Sequence, residues 1–380
     1  MDTRRDISQL TPDEKDNLLH AILDLKKQPS KATPPTGFAL PKPVNRYDDF
    51  VMMHMISFSS TSPVSMIAHG GPTFLPWHRA FLRIFERELQ NIKPKYKEVT
   101  IPYWDWTSVE SNKAIWATDC MGGDGRESDG RVMNGEFAYD AGNWVLYTAP
   151  SVSTHYTRPD LCRRFGLYIR NGEVGDVKLP TADHVMDALK TDPYDSIEWD
   201  TEAQPSFRNK LEGNYGEGRI HNIVHVWVGG LITEGEKTIY SGAMSSGGSP
   251  NDPVFWLHHA NLDRLWADWQ LEESHWNAKY LGYVPIDNGP IGRNVSDPML
   301  PWKGDITPSR VANFYRIDSK GYKYDKYFRD QKDREITPNM DGLTSPIIIA
   351  DEVPEEDFDL ITGSFDALVE KLRKPVFPID

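Results

Sequence analysis

Six histidines fall into two groups of three, and each group lies in a segment of unusual wording. The first group is His54, His69 and His78, the last two inside AHGGPTFLPWHRAFLRIFE. The second is His221 and His225 in HNIVHVWVGG, joined by His259 in NDPVFWLHHANLDRLW. Three imidazoles can hold one transition metal, so two triads point to two metals. Neutral nitrogen ligands with no obvious carboxylate or thiolate among them favour copper.

His221 and His225 stand at i and i+4, on one helix face, and can reach a single ion. An HxxxH pair is weak evidence alone. The zinc-protease version carries Glu directly after the first His as general base. Here that position is Asn222. Adjacent residues on a helix diverge by about 100°, so only one of His258 and His259 can easily join the pair. His259 is the expected ligand, because Asp263 lies four residues on and could accept its ring N–H and fix its tautomer. His258, with Leu262 at that offset, is expected beside the site, and the reverse assignment stays open. His20, His155, His184 and His275 have no such context and read as surface or ordinary structural residues.

Helices must position these side chains. TPDEKDNLLHAILDLKKQ reads as a capped amphipathic helix, followed by a Pro-rich connector. NRYDDFVMMHMISF carries His54, and FLPWHRAFLRIFERELQNI carries His78 near its start. Two further helices are expected over roughly 217–228 and 252–273, apolar all round as in a buried bundle. Between about 107 and 210, Gly, Asp, Ser and Pro dominate, which predicts loops with short strands or helices. The tail beyond about 330 is acidic and ends in SFDALVEKLRK, a short helix by its pattern.

The chain has 380 residues, with 12 Trp and 16 Tyr to fill a core. Its net charge of −14 argues against a nucleic-acid partner. No stretch approaches the roughly 18 apolar residues of a membrane helix. The N-terminus lacks the apolar middle of a signal peptide, so a cytoplasmic start is expected for the chain as written. Cys120 and Cys162 are too few for a disulfide framework; they could pair or stay free.

Together, HGGPTFLPWHRAFLRIFE, PYWDW at 102–106, HNIVHVWVGG, NDPVFWLHHANLDRLW and the motif Tyr322-Lys323-Tyr324 make the chain resemble the tyrosinase family of type 3 copper proteins, closest to its bacterial members. The likeness spans residues from about 45 to 325. It implies a mainly α fold: a four-helix bundle housing a dinuclear copper site, wrapped by long loops and a few short strands. It also implies a catalytic domain over 1–330, with 331–380 as a C-terminal extension that could cover the site or dock on the bundle. His54, His69 and His78 would bind one copper, and His221, His225 and His259 the other, with O2 as co-substrate. The residue two before His69 is Ile67, so the Cys–His thioether of fungal and plant relatives cannot form.

By the same resemblance Glu212, nine residues before His221, and Asn222 would hold a water and act as base for a phenol proton. Phe255 and Phe74 would stack on a substrate ring or pack near the metals. Val226 and the small residues of 242–249 would border the mouth of the pocket. The implied activity is ortho-hydroxylation of monophenols and oxidation of o-diphenols to o-quinones. The alternatives are a catechol or o-aminophenol oxidase, and a haemocyanin-like O2 carrier. Expected partners are small phenols, with room for a copper-delivery helper protein.

Overall fold

The computed structural model describes residues 2–34, 42–58, 67–141, 144–147, 159–197, 199, 205–213, 219–271, 292–302, 306–312 and 321–329. The acidic tail with its SFDALVEKLRK segment, His155 and His275 lie outside the described residues. The elements run β1 (Asp2–Arg4), α1 (Pro12–Leu25), α2 (Arg46–Phe58), α3 (Phe74–Ile92), α4 (Val109–Ile115), β2 (Tyr168–Arg170), β3 (Glu173–Val174), α5 (Ala182–Leu189), α6 (Phe207–Glu212), α7 (Ile220–Gly229), β4 (Leu231–Glu234), β5 (Lys237–Ser241), α8 (Val254–Gln270), α9 (Pro308–Ala312) and β6 (Tyr322–Tyr324). Helix α1 begins with a capping box: Thr11 Oγ1 accepts from the Glu14 amide and Glu14 accepts from the Thr11 amide.

Helices α2, α3, α7 and α8 form the bundle of a mainly α fold. Helix α3 has two working stripes. Phe74, Trp77, Phe81, Phe85 and Leu89 recur at helical spacing and face the core. Arg79, Arg83 and Glu86 form a second buried stripe that is charged. The apolar stripe packs on α2 and α8 through aromatic rings. Phe85 stacks on Trp256 with centroids 3.6 Å apart, and Phe50 of α2 meets Phe81, Phe85 and Trp256 edge-on or tilted. Each such ring is worth about 1.5–3 kcal/mol in burial alone. Tyr47 ties this core to the start of α8: it accepts from Trp256 Nε1 at 3.0 Å and donates to the Pro250 carbonyl at 2.5 Å.

The charged stripe meets a polar hub at Asp263 of α8. Its carboxylate accepts from Arg79 Nε at 2.5 Å, Arg4 Nη1 at 3.2 Å, Tyr324 Oη at 2.5 Å and Tyr322 Oη. Arg4 also bonds Glu86 at 3.0 Å and lies 3.9 Å over the Tyr322 ring. Strands β1 and β6 pair in parallel, Arg4 opposite Tyr324, and this pairing brings both ends of the described chain to the hub. A buried carboxylate is tolerable only with such partners. The expectation that Asp263 orients His259 is therefore overturned: Asp263 bonds Arg4, Arg79, Tyr322 and Tyr324, and among the described residues neither ring nitrogen of His259 has a hydrogen-bond partner.

The region from 107 to 210 holds α4, α5, α6 and the small strands β2 and β3. These strands join β4 and β5 in a sheet of order β3-β2-β4-β5, in which β2 and β4 run parallel. Cys120 and Cys162 are buried free thiols. His20 bonds the Asp16 carbonyl on α1, and His184 caps α5 by accepting from the Thr181 amide. Among the described residues no helix is long and apolar enough to cross a membrane.

The hub gives a test. Asp263→Ala leaves Arg4 and Arg79 buried without their shared anion, which should cost about 3–5 kcal/mol of stability. Tyr324→Phe removes two hydrogen bonds, to Asp263 and from Arg4, and should cost about 2 kcal/mol. Denaturant midpoints of the two variants check this, and equal small losses would refute the hub.

Candidate metal centre

The local sequence holds each histidine from behind. Helix α2 ends one turn after His54, and Gly247 approaches it so closely that a side chain there would meet the Phe58 ring at 2.9 Å. The Gly247 carbonyl thereby comes within 2.7 Å of His54 Nδ1. His78, in the first turn of α3, directs its own Nδ1 at the Phe74 carbonyl, 2.8 Å away. On α7, His225 Nδ1 meets the Met244 carbonyl at 2.6 Å. His221 Nδ1 lies 2.9 Å from Asn222 Oδ1 and 3.3 Å from the Glu212 carbonyl. Gly230, at φ +73°, ends α7 and turns the chain into β4.

His69 sits on a loop fixed from several directions. Gly70 N donates to Glu212 Oε1 at 2.6 Å, Tyr194 Oη donates to the Pro72 carbonyl at 2.7 Å, and Thr73 Oγ1 donates to the Ile67 carbonyl. Glu212 is thus no solvated charge. It is 2% exposed, and its other oxygen accepts from Arg208 Nη1 at 2.9 Å. Burial pushes its carboxyl up from the ordinary value, while Arg208 and the Gly70 amide pull it down.

A carbonyl can only accept. Its partner Nδ1 must carry the proton, and Nε2 then keeps a free lone pair. Among the described residues, Nε2 of His54, His78, His221 and His225 is buried with no hydrogen-bond partner, as are both nitrogens of His259 and Nδ1 of His69. Buried imidazole nitrogens without partners are costly unless something binds them. Their positions name that something. One nitrogen each of His54, His69 and His78 lies within 4.8 Å of the other two, and the same distance encloses nitrogens of His221, His225, His258 and His259. The groups abut: the His78 and His259 rings stack at 4.0 Å. This donor set fits two copper ions. Burial depresses all the ring basicities, His54 to about 3 and His225 to about 4, so the imidazoles stay neutral and available to a metal.

Helix α8 carries two candidates for the second group, and their hydrogen bonds differ. Trp106 Nε1 lies 3.1 Å from His258 Nδ1. Indole N–H is a donor only, so His258 Nδ1 accepts and the proton of its neutral ring sits on Nε2. His259 has no such claim on either nitrogen. Trp106 arrives through PYWDW, whose Trp104 amide bonds the Leu257 carbonyl at 3.1 Å and whose Asp105 pairs with Arg264 at 2.9 Å. Sequence reasoning quoted that motif without finding this role; the clue was an indole in a segment shared with the histidine motifs.

Two aromatic side chains wall the cluster. Phe255 lies 4.2 Å from the His259 ring and 5.0 Å from His54, and Phe74 lies 4.9 Å from His221 and 5.1 Å from His78. Both are fully buried and each touches both groups. Beyond them, Asn222, Ile223 and Val226 on the outer face of α7 line a cavity of about 520 Å³ together with Tyr168, Val177 and Arg219. None of the histidines of the two groups lines this cavity. Gly242, Ala243 and Met244 are buried, and Met244 and Gly247 supply the carbonyls that orient His225 and His54. The small residues there admit close backbone.

The family model for the common central domain of tyrosinase matches residues 44–272. The tyrosinase of Streptomyces glaucescens is 38% identical over 315 residues, which span 82% of this chain and 96% of that protein. The tyrosinase of Streptomyces antibioticus is 38% identical over 318 residues, spanning 83% and 98%. Among solved structures, a tyrosinase from Burkholderia thailandensis superimposes with a TM-score of 0.52 at 19% identity, covering 86% of this chain and 74% of that one, a likeness of fold. With two adjacent histidine groups that can each hold a metal ion and the central-domain match spanning all of them, the chain belongs to the tyrosinase family.

Proposed function

We propose that this protein is a tyrosinase-type polyphenol oxidase. With two coppers bound, the site supplies O2 chemistry that hydroxylates monophenols ortho to the hydroxyl and oxidises o-diphenols to o-quinones. The observation that carries the reading is the set of buried, unpartnered imidazole nitrogens in two adjacent groups. His54, His69 and His78 hold the first ion. His221, His225 and His259 hold the second, a choice over His258 supported by the Trp106 bond to His258 Nδ1.

The remaining residues handle the phenol. Phe74 and Phe255 keep water from the imidazoles. Asn222 stands on the seam of α7 between the histidine face and the cavity, where a phenol ring can lie. The Glu212 backbone carbonyl and Asn222 Oδ1 both approach His221 Nδ1, while the Glu212 carboxylate accepts from the Gly70 amide and Arg208. The Glu212 carboxylate, made more basic by burial, takes the phenol proton with Asn222 holding the intervening water. This pair favours a monophenolase over a catechol or o-aminophenol oxidase. The likeness to tyrosinases of Streptomyces over most of the chain favours an enzyme over an O2 carrier. Burial of nearly every imidazole also supports loading of copper by a helper protein.

Copper loading followed by elemental analysis should give about two equivalents per chain, one for each triad. His259→Ala should lower this to about one. A single equivalent in the unaltered protein, or two in the variant, would refute the ligand assignment. A kinetic test addresses the base. Asn222→Leu should lower turnover of tyrosine more than that of catechol, by about 10²-fold or more, because only the monophenol must first lose its proton to a base. Equal losses on both substrates would make the pair structural.

A further inference from the structure

His258 is the one member of the second histidine group that the metal does not absorb. It is fully buried, and its ring stacks on His221 at 5.4 Å and meets His225 at 4.9 Å and His259 at 5.0 Å. Trp106 occupies Nδ1, so the opposite nitrogen, Nε2, carries hydrogen. That Nε2 is buried and has no partner among the described residues. A protonated ring nitrogen has no lone pair for a metal. A buried N–H without an acceptor, on a ring packed against His221, His225 and His259, calls instead for an anion or a carbonyl. Six neutral ligands leave the metal charge uncompensated, so the anion that enters here is the one the metal attracts.

We propose that His258 is a neutral N–H donor that binds and orients the oxyanion of the phenolic substrate at the second metal, with Trp106 fixing its tautomer. This rests on the polyphenol oxidase reading above. It adds a contact to the phenolate oxygen separate from the Glu212–Asn222 base: one group removes the proton, and the other receives the oxygen it leaves behind. Trp106 touches no substrate and acts through His258. Hydrogen bonds to charged groups are the strong ones, and geometry this confined keeps the oxygen on one line of approach.

The test uses the dicopper protein and benzoate, an aromatic oxyanion with no phenol to oxidise, titrated calorimetrically. His258→Gln keeps an N–H donor in nearly the same place; His258→Phe keeps a ring and removes the donor. Both variants should hold as much copper as the unaltered protein. Benzoate should bind about 10–100-fold more weakly to His258→Phe and within about threefold of normal to His258→Gln. Loss of one copper in His258→Phe would make His258 a ligand and overturn the assignment of His259 as well. Full copper with unchanged benzoate affinity would overturn the oxyanion role alone. Should His258→Phe fail to fold, nitrogen-15 NMR of the reduced dicopper protein decides the tautomer directly, the His258 signals being assigned by their loss in His258→Gln. Hydrogen on Nε2 is expected, and a second tautomer should appear in Trp106→Phe. Hydrogen on Nδ1 in the unaltered protein would refute the proposal.

Discussion

The centre depends on one repeated interaction: a backbone carbonyl accepting the Nδ1 proton of a buried histidine. At His54, His78 and His225 the carbonyls of Gly247, Phe74 and Met244 take that proton. Each bond does two jobs. It sets ring rotation, and it leaves the lone pair on Nε2, facing inward. Neutral imidazoles in an apolar box would otherwise choose either tautomer, and a ring presenting N–H to an ion would repel it. Trp106 is the same device run in reverse. By donating where the carbonyls accept, it turns His258 from a ligand into a donor.

Holding three carbonyls at the right places explains much of the surrounding fold. The turn at Phe74 is part of α3 itself, so His78 needs no outside help. The carbonyls of Met244 and Gly247 come from one short segment between β5 and α8, and its small residues allow backbone to lie against α2 and α7. Helix α8 in turn must not rotate. Asp263 prevents this on one side through Arg4, Arg79 and two tyrosines, and Arg163 does so at its start by gripping Asp252 through two contacts of 2.7 Å. Removing a partner from either cluster would leave buried charge uncompensated, so the clusters fix geometry at a high cost of rearrangement.

The helices and both histidine triads are legible in the sequence because their signals are local. The α3 stripe, the HxxxH pair and the capping box at Thr11 each lie within a few residues. What was misread depends on distant partners. Asp263 looked like a support for His259, four residues away, because Arg4 and Tyr322 stand 259 and 59 positions away along the chain. The short strands β2 to β5 carry too few residues to set a period-two pattern. Helix spacing alone does not choose between His258 and His259, because both join His221 and His225 in one group. The deciding contact is Trp106, 152 residues upstream of His258.

Copper-edge X-ray absorption of the reduced, fully loaded protein tests the account at its centre. The orientation of the rings predicts about three imidazole nitrogens around each copper, with no carboxylate and no sulfur in the first shell. It also predicts the same spectrum for His258→Gln. About four nitrogens at one copper, or a spectrum that loses a nitrogen in that variant, would contradict the claim that hydrogen bonds from behind decide which histidines hold the metals.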